Sequence, residues 1–508
     1  MGRIENASKN IRYGYLGVLL TLLLQFVSRT IFIHTIGVTF LGVSGLYTNV
    51  LSVLSFAELG IGTAMNFSLY KPVAENDKDK IKSLMQLYKY AYRWIALVVA
   101  VFGLGVIPFL NFIIKEPGAI TPNELIIYYA IFLFNTVSTY FVAYKYSLVN
   151  AEQKNYIQTN IRTVTLIVTT VIQILVLLIF KNFLFYLLTA AAVELFQKIY
   201  ANWYLNKRYP YLLDKDVRKL SKEDKLPIVK NIKAMVYHKI GEISVHQTDN
   251  ILISSFINIS TVGIVSNYTL IITSVTSFIN IVFNSLISSF GNLIATENVD
   301  KQYSLFKVYR FAGFWLYGFA SVAFVVLLNP FVQLWIGSEM LVGTVVIYLI
   351  IIDYYFRGHR IVVNNFKIAA GIFDEDKYIG IIQAVVNLVV SIIMVKQIGL
   401  PGIYIGTLAQ GLISTLVKPR IVYKNVFKRS VKEYYTDSVK YLVIILIPLA
   451  ILELIKLYLI PDITILNFII LVILVTVIPN AIILLTCRKR EEFIYILNLV
   501  KQKMKAGK

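Results

Sequence analysis

Fourteen apolar segments divide this chain, and its basic residues fall almost entirely in alternate gaps between them. Forty-two of the 49 Lys and Arg lie in the two flanks and in every second gap. The opposite gaps contain only Lys115, Lys181, Lys396 and Lys456. Cytoplasmic loops of membrane proteins carry such an excess of Lys and Arg. The alternation therefore predicts an all-α integral membrane protein with both termini in the cytoplasm.

The composition agrees with this class, since the chain is 57% hydrophobic with a mean hydropathy of +0.70. The net charge of +21 is spread over many loops, so anionic lipid explains it better than nucleic acid does. A bilayer core takes roughly 20 apolar residues per helix. The predicted spans are residues 13–34, 40–69, 86–114, 123–148, 158–180, 183–205, 232–257, 261–295, 308–336, 342–368, 379–396, 400–422, 439–459 and 464–486.

The longest loop, 206–231, is basic and has the composition of a linker. It separates two groups of six spans, which are oriented as a parallel repeat because each group contains an even number of spans. The predicted organisation is an N-terminal lobe (1–205), the linker (206–231), a C-terminal lobe (232–422), a basic loop with a two-helix hairpin (423–486) and a basic cytoplasmic tail (487–508).

Segment ten has the clearest set of polar residues within a span. Asp353, Arg357, Arg360 and Asn364 fall within about 60° of one another on a helical wheel. Such a stripe indicates a water-filled cavity, where guanidinium groups could bind a phosphate or pyrophosphate through paired contacts. The alternative is an intrahelical ion pair between Asp353 and Arg357, which would leave Arg360 without a partner.

Four other segments carry polar candidates. His246 and Asp249 belong to a stripe in segment seven that begins with His238 and Glu242, a pair that could instead be solvated. Segment eight has a milder stripe of Ser277, Asn280, Asn284 and Ser288. Gln25 and Arg29 are spaced i, i+4 in segment one, where Arg29 could line a cavity or extend to the outer interface. Glu58 in segment two is either a cavity carboxylate or an interfacial one.

The sequence contains no signature of an enzyme. It has no P-loop, no H-E-x-x-H and no G-x-S-x-G motif, and its four histidines are too scattered to predict a metal site. Cys487 is the only cysteine, which excludes an intramolecular disulfide. The outer loops are short, which argues against a membrane glycosyltransferase. No catalytic residue, metal or organic cofactor is predicted.

Short stretches along nearly the whole chain match a known family in the expected order. They are SRTIF (28–32), GVTFLG (37–42), AELGIG (57–62), LYKP (69–72), TDNILI (248–253), LWIG (334–337), AGIF (370–373), DKY (376–378) and GLPGIYIGT (399–407). With these stretches the chain resembles the Wzx-type flippases of the MOP exporter superfamily, which act in the biosynthesis of O-antigen, capsule and other surface polysaccharides.

The resemblance implies two six-helix lobes in a V around a central cavity, working by alternating access in the bacterial cytoplasmic membrane. It implies as substrate an oligosaccharide repeat unit on undecaprenyl pyrophosphate, with the pyrophosphate held by Arg29 and by Arg357 and Arg360. The C-terminal hairpin would help to form a groove for the polyprenyl tail, beside membrane lipid.

The driving force and the partners follow as expectations from the same resemblance. Glu58, Asp249 or Asp353 could bind Na⁺ or H⁺, or an external polysaccharide polymerase could remove the product. The glycosyltransferases that build the repeat unit are further possible partners. The alternative function is an ion-coupled multidrug antiporter of the same superfamily.

Overall fold

The computed structural model describes residues 3–58, 61–214, 247–372 and 374–506, with separate positions between 216 and 228. Its described residues form helices and turns and contain no strand. The helices are α1 (Arg3–Ile36), α2 (Val38–Leu54), α3 (Ile61–Ala74), α4 (Lys78–Val106), α5 (Leu110–Ile113), α6 (Pro122–Ala151), α7 (Tyr156–Phe180), α8 (Phe183–Arg208), α9 (Thr248–Phe256), α10 (Ile259–Ser285), α11 (Ile287–Thr296), α12 (Val299–Ile336), α13 (Thr344–His359), α14 (Ile361–Ala369), α15 (Ile379–Ile398), α16 (Leu400–Val422), α17 (Lys432–Leu459), α18 (Ile465–Cys487) and α19 (Glu491–Ala506).

Helix boundaries follow local signals in the sequence. Thr121 and Glu124 form a reciprocal capping box at the start of α6, with Pro122 in its first turn. The side chain of Asn298 accepts a hydrogen bond from the backbone N–H of Lys301 and so begins α12. Gly37, at a φ of 90°, lets the chain turn from α1 into α2 with a single intervening residue.

Among the described residues, eleven helical stretches are long and apolar enough to cross a membrane, so the chain is a multi-pass membrane protein. They correspond to every predicted segment except two, seven and ten. Segment two is divided into α2, a 3₁₀ turn at Ser55–Glu58 and α3. Segment ten is divided into α13 and α14, and most of segment seven lies outside the described residues.

The chain separates into two compact units, one up to Gly263 and one from Ile264. In the first unit α9 contacts α2 and α5. The hydroxyl of Ser254 donates to the carbonyl of Ile113 at 2.7 Å, and Asn49 donates to the carbonyl of Gln247 at 3.3 Å. The lobe boundaries expected from the sequence remain a prediction.

In the second unit α17 and α18 pack against the long helix α12. Phe314 stacks on Tyr441 with ring centroids 4.1 Å apart, and Trp315 donates a hydrogen bond to Asn480. Arg310, whose side chain is only 2% exposed, donates to the carbonyl of Tyr434 and to the hydroxyl of Ser438. A buried guanidinium on α12 therefore holds α17 against this helix.

Two glycines allow the start of α10 to lie directly against α2. A Cβ atom on Gly42 would lie 2.0 Å from the carbonyl oxygen of Ile259, and one on Gly263 would lie 2.2 Å from that of Val38. Beside this crossing the hydroxyls of Thr39 and Ser260 are 2.9 Å apart. Small residues permit such close backbone contact between membrane helices.

We expect Gly263→Leu to lower the melting temperature of the purified protein in detergent. The added side chain must separate two backbones, and overpacking of this kind typically costs about 1–3 kcal/mol. Gly105→Leu is the matched control, since a Cβ on Gly105 in α4 meets no atom within 4 Å. Equal melting temperatures for the two variants would show that the crossing is not tightly packed in solution.

Candidate functional site

Asp353 and Arg357 form an ion pair within α13. The Nε atom of Arg357 lies 2.8 Å from Oδ2 of Asp353, and the side chains are 43% and 3% exposed, respectively. The intrahelical pair considered from the spacing is therefore present. It occupies only Nε of the guanidinium, so the two terminal nitrogens, which would make a paired contact with a phosphate, take no part in it.

Arg360 lies at the junction between α13 and α14 and differs sharply from Arg357. It is 6% exposed, and it donates to the carbonyl of Gly411 and, at 2.9 Å, to the hydroxyl of Thr415. The expectation that Arg360 lacks a partner is wrong, because the partners come from α16 and a single-helix wheel cannot include them. Its predicted role in binding substrate stays a prediction.

The remaining member of the stripe, Asn364, lies one turn into α14. It is half-buried, and its Oδ1 atom has no hydrogen-bond partner among the described residues. The buried Oδ1 of Asp353 is likewise without a partner there and faces Gly411, where a Cβ atom would lie 2.7 Å away. The predicted stripe thus contains an exposed cation, a buried cation and two acceptor oxygens that could receive hydrogen bonds.

Two tyrosines lie near Arg357, one on α12 and one on α13 itself. Tyr317 on α12 donates to Oδ1 of Asn280 on α10 at 2.6 Å, and its ring packs directly on Gly358. Tyr317 and Tyr354 both lie within electrostatic range of Arg357. The structure therefore brings Asn280, from the milder stripe of segment eight, into the same polar group. The two tyrosines carried no recognisable signal in a chain with 34 of them.

In the first unit Arg29 lies beside Tyr186 of α8. Tyr186 also packs against Phe32, one turn further along α1, with ring centroids 5.0 Å apart. Arg29 is half-buried, whereas Gln25, one turn earlier, is exposed. Arg29 precedes the end of α1 by seven residues, roughly 10 Å. This position leaves both interpretations of Arg29 open.

Glu58 ends the 3₁₀ turn that follows α2. Its half-buried carboxylate accepts a hydrogen bond from the hydroxyl of Tyr92 at 3.3 Å. The hydroxyl of Tyr140 donates to Ser55 in the same turn at 3.0 Å, and the two tyrosine rings are 6.1 Å apart. The carboxylate is thus held between α4 and α6, where it could exchange a proton with a neighbouring phenol or water.

The stripe predicted in segment seven is described only at its end. Asp249 is half-buried in the first turn of α9 and makes a polar contact there. His246 lies outside the described residues, as do His238 and Glu242. The grouping of these four side chains therefore stays a prediction.

Two buried lysines near the ends of predicted spans were missed, because they were counted with the neighbouring basic gaps. Lys145 on α6 donates to the side-chain oxygens of Asn202 and Asn206 on α8. Lys198 on α8 donates to Ser138 on α6 at 2.8 Å. Each lysine therefore finds its partners on the other helix of the α6–α8 pair. A search for Lys–Asn pairs between neighbouring spans could have found the first.

No family model matches this chain, and no curated protein matches it in sequence. Its structure is similar to an inward-facing multidrug resistance MATE family transporter of the MOP superfamily, at a TM-score of 0.61 and 16% identity over 80% of this chain and 96% of that one. It is also similar to the lipid II flippase MurJ in an inward closed conformation, at a TM-score of 0.65 and 13% identity over 94% of this chain and 98% of that one.

A MATE transporter of Vibrio cholerae is a further neighbour, at a TM-score of 0.56 and 14% identity over 84% of this chain and 99% of that one. At such low identity these likenesses establish the fold alone. The chain has the all-helical, multi-span fold of MOP-superfamily transporters, which confirms the predicted fold class. The structural neighbours are transporters and a flippase.

We expect Arg360→Met to destabilise the protein, because it leaves the carbonyl of Gly411 and the hydroxyl of Thr415 without their donor. Hydrogen bonds to a charged group contribute roughly 1.5–3 kcal/mol. The melting temperature in detergent measures the effect, with Lys396→Met at an exposed position of α15 as control. A melting temperature equal to that of the control would contradict a structural role for Arg360.

Proposed function

We propose that this protein is a flippase that moves an oligosaccharide repeat unit on undecaprenyl pyrophosphate from the cytoplasmic to the outer leaflet. Such a headgroup is large and polar and does not cross a hydrocarbon layer unaided. Transport by alternating access in a bacterial cytoplasmic membrane, with both termini inside, would serve the synthesis of a surface polysaccharide such as O-antigen or capsule.

The proposal rests on which charged group of the Asp353–Arg357 pair in α13 is accessible to solvent. The carboxylate of Asp353 is buried, whereas the guanidinium of Arg357 is 43% exposed and, among the described residues, is bound through Nε alone. The accessible charge is therefore positive and has the planar fork that fits a phosphate. A site built to bind a cationic drug would instead present the carboxylate.

The share of this chain that each structural neighbour covers supports a lipid substrate. The likeness to the lipid II flippase covers 94% of this chain, against 80% for the multidrug transporter. The last two spans of this chain are α17 and α18. These two helices carry many exposed apolar side chains, including Val443, Leu446 and Ile473, which suit contact with a polyprenyl tail.

Other residues take supporting roles in this proposal. Arg29, Gln25 and Asn364 would be further contacts of the headgroup, whereas the buried Arg360 would hold the junction of α13 and α14 through Gly411 and Thr415. Glu58, Asp249, Asp353 and His246 are the groups through which Na⁺ or H⁺ could couple to transport. A polymerase and glycosyltransferases acting on the same lipid-linked repeat unit would be the partners.

One observation favours the alternative of an ion-coupled multidrug antiporter. Glu58 is a half-buried carboxylate in contact with a phenol, and such a group can bind a proton or a cation. The two functions make opposite demands on Arg357, because a cation exporter does not need a guanidinium at its substrate site.

We expect a strain that lacks this gene to accumulate undecaprenyl-linked repeat units and to lose surface polysaccharide. Wild-type protein should restore both, and Arg357→Gln should not, since loss of charge-assisted contacts worth roughly 1.5–3 kcal/mol each weakens binding about tenfold or more. Arg357→Lys should restore only part, because an ammonium cannot form the paired contact. Extraction and mass spectrometry of the lipid-linked pool give the measurement.

The control is Arg420→Lys, a conservative change at an exposed arginine of α16. It should restore the surface polysaccharide fully, and immunoblotting should show equal amounts of all variants in the membrane. An unchanged lipid-linked pool together with increased drug sensitivity in the deletion strain would reject the flippase and favour the antiporter.

A further inference from the structure

A pocket in the first unit lies where three turns meet. The turns are those between α3 and α4, between α6 and α7, and after α8. The cavity has a volume of 440 Å³, within the range of sites for small molecules. Its polar lining includes Lys78, Glu152, Lys154, Arg208, Tyr209 and Tyr211.

The walls of the pocket are fixed by specific contacts. Asn76 and Gln153 adopt left-handed conformations, with φ of 53° and 60°, that close the first two turns. The hydroxyl of the buried Tyr209 donates to Glu152 at 2.8 Å and so joins the third turn to the second. The buried side chain of Ile81 on α4 completes the floor. This is a built cavity with defined walls.

The pocket carries an excess of positive charge. Three cations line it, Lys78, Lys154 and Arg208, against the single carboxylate of Glu152. That carboxylate already accepts hydrogen bonds from Lys154 and Tyr209. Lys78 and Arg208 are exposed at the rim, and Lys78 is the first residue of α4, where the helix dipole adds positive potential. An anion is the complementary ligand.

The depth of the pocket in the membrane indicates where the anion comes from. Helix α8 has 26 residues and is roughly 39 Å long, whereas the hydrocarbon core is about 30 Å thick. Its last turns expose Tyr200 and Trp203, and the ammonium of Lys207 lies 5.5 Å from the Trp203 ring. Aromatic side chains of this kind mark the level of the lipid headgroups. Arg208, a rim residue of the pocket, comes directly after Lys207 in the sequence and is therefore placed at this level.

We propose that this pocket binds a phosphoryl group, supplied by the headgroup of an anionic lipid in the cytoplasmic leaflet. Arg208 and Lys78 contact the phosphate from the rim, and Lys154 contributes from the wall. Tyr211 lies at the edge of the same pocket, where its hydroxyl could donate to the headgroup. The inference is independent of the transported substrate, since all of these residues lie in the three turns and none belongs to the polar group around Arg357.

The test uses the full-length protein in detergent with defined additives. Phosphatidylglycerol should raise the melting temperature of wild-type protein in a saturable manner. The double variant Lys78→Gln/Arg208→Gln should need about tenfold more of this lipid for the same shift, as expected for loss of two basic contacts at a membrane surface. Both side chains are exposed, so the melting temperature without lipid should change little.

The matched control removes the same charge outside the pocket, through Lys424→Gln/Arg488→Gln at exposed positions of the second unit, and should respond to the lipid as wild type does. Inorganic phosphate and glycerol phosphate form the second arm. If only these compounds separate the pocket variant from the control, the phosphoryl site stands and the lipid source is rejected. If neither lipid nor soluble phosphate separates the two variants, the proposal is overturned.

Discussion

Charged side chains inside the apolar helices of this protein are stabilised by partners from a neighbouring helix, and this requirement determines much of the packing. An ionised group removed from water is costly unless hydrogen bonds replace its hydration. Arg310 on α12 meets that condition with the carbonyl of Tyr434 and the hydroxyl of Ser438, while its guanidinium lies 3.9 Å above the Tyr434 ring. Lys145 does so with Asn202 on α8.

The same requirement gives different roles to the two arginines of segment ten, Arg357 and Arg360. Arg360 is buried and donates from Nη1 to two groups on α16, so it holds the junction of two helices in place. Among the described residues Arg357 is bound through Nε alone, by Asp353, and a substantial part of its side chain remains exposed. An anionic headgroup requires an exposed positive charge whose N–H donors are accessible. The proposed function rests on this contrast between Arg357 and Arg360.

Several features of the fold were predictable because they depend on local chemistry. Apolar length identified eleven of the spans that the structure describes, since a helix must be about 20 residues long to cross a bilayer. The i, i+4 pair of Asp353 and Arg357 was also accessible, because helical geometry alone brings those side chains together. The breaks in segments two and ten were not predicted, since apolar length shows that a segment can cross a bilayer but does not locate an interruption inside it.

The sequence by itself determined the class, the number of apolar segments and the alternation of basic loops, because hydropathy and charge act over one segment at a time. Only the tertiary structure decided which cations are buried and which are accessible. Arg360 and Arg357 are equally basic and share one wheel face, but Gly411 and Thr415, about 50 residues further along the chain, contact only the first. Hydrogen-bond partners from distant segments leave no trace in local periodicity, and the pocket at the three turns after α3, α6 and α8 escaped the sequence analysis for the same reason.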